Sequence, residues 1–217
     1  MTAREAEPAE PVPPRLPGGP AQGAADLADD VPISELTLSP YWAEQRVEFT
    51  EFAQCRVHEG SFADGYWRKT RWTDIEATGT DLANLEFDEG GWSRVSLDGV
   101  RATGLMLTHG TWHHVRFRAC TADLLTVRFA TVTAATFTDC SLRGADFTGT
   151  RLTDVLFDGC DLTGARFDQV RAERVWLRNC EVSGLHGLAD LRGATIEPKD
   201  VAGFAHQLAH VVGITLR

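Results

Sequence analysis

The sequence predicts an all-β solenoid: a quadrilateral β-helix of about seven 20-residue coils, with a short C-terminal α-helix and a disordered N-terminal tail. Two observations predict it. Every fifth residue from Val47 to Val182 is apolar, and cysteine, tryptophan and phenylalanine recur at intervals of 20 residues. Neither the 3.6-residue period of a helix nor the two-residue period of a strand produces this pattern. We therefore divide the chain into a tail at 1–35, a solenoid at 36–196 and a cap at 197–217.

The tail is rich in proline, alanine, glycine and acidic residues, and seven of the nine prolines precede residue 36. This composition buries too little apolar surface to offset the entropy lost on ordering, so it predicts disorder. The first residues also lack the apolar segment of a secretory signal, which predicts a cytoplasmic protein with reduced cysteines. The net charge of −10, from 31 acidic and 21 basic residues, disfavours nonspecific binding to nucleic acid or to an anionic membrane.

The five-residue period is complete from Val47 to Val182. All 28 positions in this column are apolar, although apolar residues make up 43% of the chain. Chance matching would produce this on the order of 10⁻¹⁰ of the time. The position two residues earlier is mostly small or β-branched, and the other three are mostly polar. Each unit of five therefore directs one large and one smaller side chain inward, and four units close a square coil.

Residues 20 apart share one wall of such a coil and form vertical stacks. Three stacks are expected, formed by Cys120, Cys140, Cys160 and Cys180, by Trp72, Trp92 and Trp112, and by Phe117, Phe137 and Phe157. At a strand spacing of about 4.8 Å, seven coils make a rod about 34 Å long.

These units resemble the pentapeptide-repeat family, in which Ala, then Asp or Asn, then Leu or Phe precede two freer positions. The run 145–147 reads Ala-Asp-Phe and matches fully, and the runs 80–82 and 160–162 match at two positions. The resemblance covers about two thirds of the chain. It implies a right-handed quadrilateral β-helix of a bacterial protein. It also implies a function, because some members imitate B-DNA and bind DNA gyrase or another type II topoisomerase. Those members inhibit the enzyme or protect it from quinolones or toxins.

The repeat loses its phase at 183–187, and Leu191 and Ile196 resume it in a new register. Pro198 then opens a predicted helix that ends near Gly213. A stacked coil exposes its apolar interior at its end, so a cap is required. The predicted cap or dimer contacts on one face of this helix are Val201, Phe204, Leu208 and Val211.

Leu156 and Trp176 lie 20 apart in outward positions, where they should form an exposed apolar strip. We expect the C-terminal helix or a partner subunit to cover this strip, which predicts a homodimer formed through the C-terminal end.

The cysteine column and a histidine cluster are the candidates for metal binding. Four collinear sulfurs cannot surround a tetrahedral zinc ion, and parallel side chains oppose a disulfide, so we interpret the cysteines as small packing groups. His109, His113 and His114 could be ligands or solvated surface residues, and no cysteine or carboxylate with ligand spacing accompanies them. The prediction is that the protein holds no metal and no cofactor.

The outward glycines could suggest a phosphate-binding loop or a turn. They all fall in the last position of the five-residue unit, where a turn needs a permissive residue. Neither phosphate-loop motif, GxxxxGK[ST] or GxGxxG after a strand, is present, and no Ser-His-Asp or Cys-His signature was found, which predicts a protein without catalytic residues. These glycines are Gly99, Gly104, Gly144, Gly149, Gly159 and Gly164.

The predicted function is that of a non-enzymatic, rigid protein-binding rod, with a DNA mimic that binds DNA gyrase as the alternative. A DNA duplex of 34 Å carries about 20 negative charges. The coils from Arg46 to Gly184 carry 20 acidic and 16 basic residues, a net charge of −4, which supports mimicry poorly. The candidate acidic stripe for partner binding is formed by Asp64, Asp81, Asp123, Asp161 and Glu181.

A third class of function is direct nucleic-acid binding through Arg151, Arg171 and Arg174. Asp154 and Glu173 interleave with these arginines, so we interpret them as a solvated face and expect no direct binding to nucleic acid.

Overall fold

The structure is a computed structural model that describes residues 6–18, 21–22 and 26–214. It is a β-solenoid of about eight turns with a short helical segment at its C-terminal end. In the described residues the strands are β1 Ala21–Gln22, β2 Ile33–Ser34, β3 Leu36–Leu38, β4 Arg46–Glu48, β5 Glu51–His58, β6 Tyr66–Arg68, β7 Arg71–Thr78, β8 Glu86–Asp88, β9 Gly91–Asp98, β10 Met106–Thr108, β11 Thr111–Arg118, β12 Thr131–Thr138, β13 Arg151–Asp158, β14 Arg171–Arg178 and β15 Thr195–Ile196.

The strands stack in parallel along the axis of the solenoid. One sheet has the order β1-β3-β5-β7-β9-β11-β12-β13-β14-β15, with β2 also paired to β5, and a second has the order β10-β8-β6-β4. From β5 to β14 the ladder pairs residues 20 positions apart, as Trp72 with Trp92, and skips only the corner residue of each strand. Single bridges such as Ser61 to Asp81 continue the ladders along the remaining side. The predicted 20-residue coil is therefore confirmed.

The chain turns at every fifth residue. From Glu44 to Gly184 the residue at each of these positions has a left-handed backbone, with φ between 50° and 71°. Glycines occupy several of them, as predicted, but so do bulky residues such as Phe49, Leu124 and Phe129. The left-handed conformation costs an L-residue about 1–2 kcal/mol, so the backbone ladders must hold these corners in place.

The predicted apolar column is the core. Of its 28 positions, 27 are buried and Ala172 is half-buried. The expected aromatic stacks form. Trp72 and Trp92 stack with ring centroids 5.1 Å apart, and Phe137 and Phe157 with centroids 5.0 Å apart. Stacked pairs of this kind add about 0.5–1.5 kcal/mol each beyond the burial of their area.

The solenoid begins earlier than the complete repeat. Ile33 pairs with Phe52, and Leu38 with Val57, at a spacing of 19 residues instead of 20. This coil is one residue shorter than the others, and the missing residue falls before Trp42. The ring of Trp42 enters the core edge-on to Phe52, with ring centroids 5.7 Å apart. This first coil adds to the seven that the repeat predicts, and the change of register hides it from a strict five-residue pattern.

Part of the N-terminal segment is placed against the solenoid. Its composition predicts disorder over 1–35, and the described residues 6–18 lie against the outer face of the large sheet, where backbone groups hydrogen-bond to side chains of four coils. Composition reflects how much apolar surface a segment can bury, whereas these contacts use the backbone. The rest of the predicted tail falls partly on residues 1–5, 19–20 and 23–25, which lie outside the described residues.

The C-terminal end is closed by helical segments. Short 3-10 helices cover Leu188–Asp190 and Pro198–Phe204, and α1 covers Ala205–Val211. Gln207 Nε2 donates to the carbonyl of Val182 at 2.8 Å, which ties the cap to the last complete coil. In the part of the chain that the structure describes, no helix is long and apolar enough to cross a membrane.

Of the predicted cap or dimer contacts, Phe204 is buried in the core, whereas Val201, Leu208 and Val211 are exposed. Residues 198–204 form a 3-10 helix, in which residues three apart lie on one face, and α1 continues for seven residues. The role of the three exposed side chains as contacts to a second copy stays a prediction.

Candidate binding surfaces of the solenoid

Opposite charges pair along the outer walls between neighbouring coils. Among the residues that the structure describes, eight ion pairs join residues 20 positions apart, such as Arg101 with Asp81 at 2.8 Å and Arg56 with Glu76 at 3.4 Å. Directly opposed charges on neighbouring strands contribute about 0.2–1 kcal/mol per pair. The pairing keeps each wall close to neutral, which reduces the electrostatic field that the acidic residues present to a partner.

The structure places the predicted acidic stripe on one wall, though not in one column. Asp81, Asp161 and Glu181 share a column of bridged residues, with Asp161 and Glu181 on adjacent coils. Asp64 and Asp123 lie in neighbouring columns, where Asp64 accepts a hydrogen bond from Asn84 Nδ2 at 2.9 Å and Asp123 accepts one from Ser141.

Hydrogen bonds stabilise the charged form of two acids near the C-terminal end of this wall. Burial opposes ionisation of Asp161, but hydrogen bonds from Thr163 and the charge of Arg143, 3.8 Å away, lower its pKa overall. Hydrogen bonds from Ser183 lower the pKa of Glu181. Both carboxylates are therefore fully charged at neutral pH.

The apolar strip of Leu156 and Trp176 forms as predicted, because these residues are paired between β13 and β14. Both are half-buried, and the guanidinium of Arg178 lies 5.7 Å from the Trp176 ring. The N-terminal segment contacts the coils on either side, since Ala9 N–H donates to Asp154 at 3.2 Å and Glu7 lies 3.5 Å from Arg178. The described cap lies over Val182 at the end of the rod, so this segment, not the helix, flanks the strip.

The face that carries the N-terminal segment has a column of hydrogen-bond acceptors that the sequence did not reveal. Three backbone N–H groups of the segment donate to side chains of this column. The pairs are Ala9 with Asp154 Oδ1 at 3.2 Å, Val12 with His114 Nδ1 at 3.1 Å and Arg15 with Asp74 Oδ1 at 2.8 Å.

Both carboxylates in this column are held as anions. Burial would raise the pKa of Asp74, but hydrogen bonds from Arg94 and from the Arg15 N–H lower it. For Asp154 the largest effect is the hydrogen bond from Arg174, which lowers the pKa against the opposing effect of burial. Each aspartate is thus a charged acceptor for the segment that crosses it.

His114 is the third acceptor, and its Nδ1 must be unprotonated to accept the hydrogen bond from Val12 N–H. Burial is the main cause that lowers its pKa, with additional repulsion from the charges of His113, Arg94 and Arg116. The fold therefore favours the neutral imidazole, which is the form that can accept the hydrogen bond.

The other two histidines of the sequence cluster stack on different rings. His109 stacks over Phe129 with centroids 5.9 Å apart and lies 3.3 Å from Asp88. His113 stacks on His114 at 4.1 Å. Within the described residues, no group of three or more His, Cys, Asp or Glu side chains is arranged to hold a metal ion.

The cysteine column is a stack of free thiols, in which Cys120, Cys140 and Cys160 are buried and Cys180 is half-buried; Cys55, in another column, is also buried. The Sγ atoms of Cys120 and Cys160 contact the backbone carbonyls of Leu97 at 3.6 Å and Phe137 at 3.3 Å. Contact with the neighbouring thiols, together with burial, raises the pKa of Cys120 and Cys160. These thiols act as small packing groups, as predicted.

The walls carry open grooves. One groove of about 580 Å³ runs along a corner where Gly90, Gly91 and Gly110 leave space, and Lys69 and Glu89 on its rim pair with each other at 3.6 Å. A second of about 470 Å³ lies beside the cap and includes His186, His206 and Gln207. Neither groove brings a nucleophile and a general base together.

Comparisons with known proteins find one family model and several solved structures that resemble this chain. Residues 92–167 match the family model of the pentapeptide repeat region. No curated protein matches the chain. Among solved structures, a trypsin-treated form of QnrB1, a plasmid-mediated fluoroquinolone resistance protein, is 16% identical over 88% of this chain and 100% of its own, with a TM-score of 0.48. HetL, a pentapeptide repeat protein involved in heterocyst differentiation regulation from the cyanobacterium Nostoc sp. strain PCC 7120, is 14% identical over 76% of this chain and 87% of its own, with a TM-score of 0.47. The family match and the observed five-residue coil together confirm the predicted resemblance: this chain carries a pentapeptide repeat region, built as a β-solenoid.

Proposed function

We propose that the protein is a non-catalytic, cytoplasmic binding rod whose outer walls recognise a protein partner. The observation that supports this is the separation between core and surface. The inward positions form one continuous core, and the outward side chains stand in straight columns at the spacing of the strands. Outward residues can therefore define a binding surface without disturbing the core.

Position-specific photo-crosslinking in the source cell tests this proposal. A crosslinking amino acid placed at Thr121, on the wall of the acidic stripe, should capture a defined protein. The same amino acid at Thr138, on another wall, should capture a different set or none. Equal capture from both positions, or capture from neither, would contradict a wall-specific binding function.

DNA mimicry directed at DNA gyrase is the second candidate. What favours it is the pair of charged carboxylates of Asp161 and Glu181 on adjacent coils of one wall. What weakens it is that arginines face the same column, with Arg101 paired to Asp81 at 2.8 Å and Arg143 3.8 Å from Asp161, so the stripe of unneutralised charge is short. We expect any effect on gyrase to depend on the C-terminal half of the stripe.

A supercoiling assay with purified gyrase, with and without a quinolone, tests the mimic. If the candidate is correct, the unmodified chain changes supercoiling or quinolone sensitivity, and the variant D161N/E181Q loses at least tenfold in potency. The matched control D139N, on a different wall, should keep full potency. No effect of the unmodified chain at micromolar concentration would exclude gyrase and leave the general binding rod.

We further propose that the exposed apolar residues of the cap mediate a homodimer through the C-terminal end. Val201, Leu208 and Val211 are each more than 40% exposed, and Val212 is 67% exposed. The exposure of four apolar side chains near the C-terminal end supports an interface between two copies. Light scattering should give the mass of a dimer for the unmodified chain and of a monomer for L208E/V211E, whereas a monomeric unmodified chain would contradict this proposal.

A further inference from the structure

We propose that the face bearing Asp74, His114 and Asp154 is a binding site for proline-rich segments in the polyproline II conformation, and that the N-terminal segment 8–17 is its built-in ligand. This inference deepens the proposed function, since it names a class of segment that one wall binds. It rests on that function only in requiring that the rod binds polypeptide.

The N-terminal segment has the period of a polyproline II helix. Proline stands at every third position, at Pro8, Pro11, Pro14 and Pro17. A polyproline II helix has three residues per turn, so these four rings share one edge. Pro11 is buried and the other three are half-buried, whereas most of the residues between them are exposed. The proline edge is therefore the one that faces the solenoid.

The spacing of this segment matches the spacing of the coils. The donors Ala9, Val12 and Arg15 follow one another at intervals of three residues, and their acceptors lie 40 residues apart, which is two coils. Three residues of polyproline II rise about 9.3 Å. Two strand spacings are about 9.6 Å, so the mismatch over two such steps is only about 0.6 Å. Three residues of an α-helix would rise only about 4.5 Å.

The acceptors are oriented by neighbours in the solenoid itself. Arg94 clamps Asp74 with two hydrogen bonds of 2.5 and 2.7 Å. Arg174 clamps Asp154 in the same way, at 2.6 and 2.8 Å. A bidentate pair fixes both the position and the plane of a carboxylate. The two outer acceptors are thus held by residues of the rod, and the segment is not needed to orient them.

The carbonyl groups of the segment are recognised as well. Arg116 donates to the carbonyl of Pro11, Arg56 Nη1 to that of Pro17 at 3.4 Å, and Gln54 Nε2 to that of Arg15 at 3.2 Å. These contacts read the backbone and its proline period, while the side chain of Arg15 stays exposed. A proline-rich segment of another protein with the same period would present the same groups.

The built-in segment also acts as a competitor. A short tether gives a ligand an effective concentration in the millimolar range, so a free peptide of similar affinity is excluded while the segment is docked. The site must therefore be measured in a chain whose own segment no longer fits it. The full-length variant P8G/P11G/P14G meets this need, because it leaves the acceptors and the solenoid unchanged.

Fluorescence anisotropy with a labelled peptide of residues 6–18 is the direct test. We expect saturable binding to the P8G/P11G/P14G chain, at least tenfold tighter than to the unmodified chain. A peptide of the same composition with its prolines off the three-residue spacing should bind at least tenfold more weakly. Absence of binding to the variant, equal binding of both peptides, or equal binding to both chains would each overturn the proposal.

A matched pair of substitutions assigns the binding to this face. Adding D154A to the P8G/P11G/P14G chain should weaken peptide binding about tenfold, because a hydrogen bond to a charged acceptor is lost. Adding D81A should leave peptide binding unchanged. Asp81 is the matched control because it lies on another wall and, like Asp154, pairs with an arginine 20 positions later, at 2.8 Å. Equal effects of D154A and D81A would overturn the assignment.

Amide exchange in the unmodified chain tests occupancy of the site without any substitution. The N–H groups of Ala9, Val12 and Arg15 should be protected, and those of Glu7 and Glu10 should exchange freely. Uniform free exchange would overturn the built-in ligand. So would protection that disappears on dilution, because the ligand would then come from a second copy. Failure of these tests leaves the crosslinking test of the binding rod unaffected, and failure of that test leaves these results unaffected.

Discussion

Replacing Phe157 by alanine should destabilise the solenoid strongly. The ring is fully buried and stacks on Phe137 with centroids 5.0 Å apart, and it meets the rings of Phe147 at 5.6 Å and Phe167 at 5.8 Å edge-on. Truncation of a buried phenylalanine costs about 3–5 kcal/mol, depending on how far the site can collapse. Here β12 and β14 hold the coils above and below in register, so collapse is restricted. We expect the upper half of that range.

The loss would be a large part of the total stability, which is about 5–15 kcal/mol for a typical domain. At about 2–4 °C per kcal/mol for a chain of this size, the midpoint of thermal unfolding should fall by about 8–20 °C. Equilibrium unfolding in urea, followed by the fluorescence of the buried tryptophans, measures the free energy directly. The variant F157L keeps most of the volume and should cost less than about 1.5 kcal/mol.

The exposed Phe129 provides the matched control. Because it lies at a corner and is 53% exposed, F129A should change the free energy of unfolding by no more than about 0.5 kcal/mol. If F157A costs less than about 1 kcal/mol, or no more than F129A, the stacked phenylalanine core does not hold the coils together and the reasoning is refuted.

Three further outcomes follow from the corners, the histidine and the thiols. A Cβ added at Gly187 would lie 2.4 Å from the backbone of Phe167, so G187A should cost more than about 3 kcal/mol in urea unfolding, whereas G99A, with open space around it, should cost about 1–2 kcal/mol for its left-handed backbone. The ring of His114 should titrate below 6.5 in an NMR experiment. Because its pKa is lowered in the folded chain, its contribution to stability is complete above pH 6.5 and declines as the pH falls through the lower value. A thiol reagent should modify no more than one cysteine in the native chain and all five in denaturant, since four of the five are buried; rapid labelling of more than one native thiol would contradict this packing.

The candidate binding surfaces were only partly predictable. The residues of the acidic stripe can be assigned to one wall from their positions in the 20-residue coil, and the structure places them there. The ion pairs that these acids form with arginines could not be predicted in the same way, because they depend on side-chain rotamers that the sequence does not give. Of the predicted cap or dimer contacts, only Phe204 reaches the core, and contact of Val201, Leu208 and Val211 with a second copy stays a prediction.

The surface that binds the N-terminal segment is not evident from the sequence. The three-residue period of the prolines is present in the sequence, but its significance depends on a match to acceptors 40 residues apart. That match appears only when the coils are stacked at their strand spacing. The composition of the segment predicts disorder because it concerns side-chain burial, whereas the segment is held through its backbone.

The sequence alone determined the coil, because close packing allows only apolar side chains at the inward positions and repeats that demand in every unit of five residues. It also determined the stacks of Cys120, Trp92 and Phe137, which follow from residues 20 apart sharing one wall. The tertiary structure decided where the solenoid begins, at Ile33 in a shifted register, and what lies on its outer face. Outward positions experience no such packing constraint, so their contacts depend on geometry between coils and segments that no local pattern encodes.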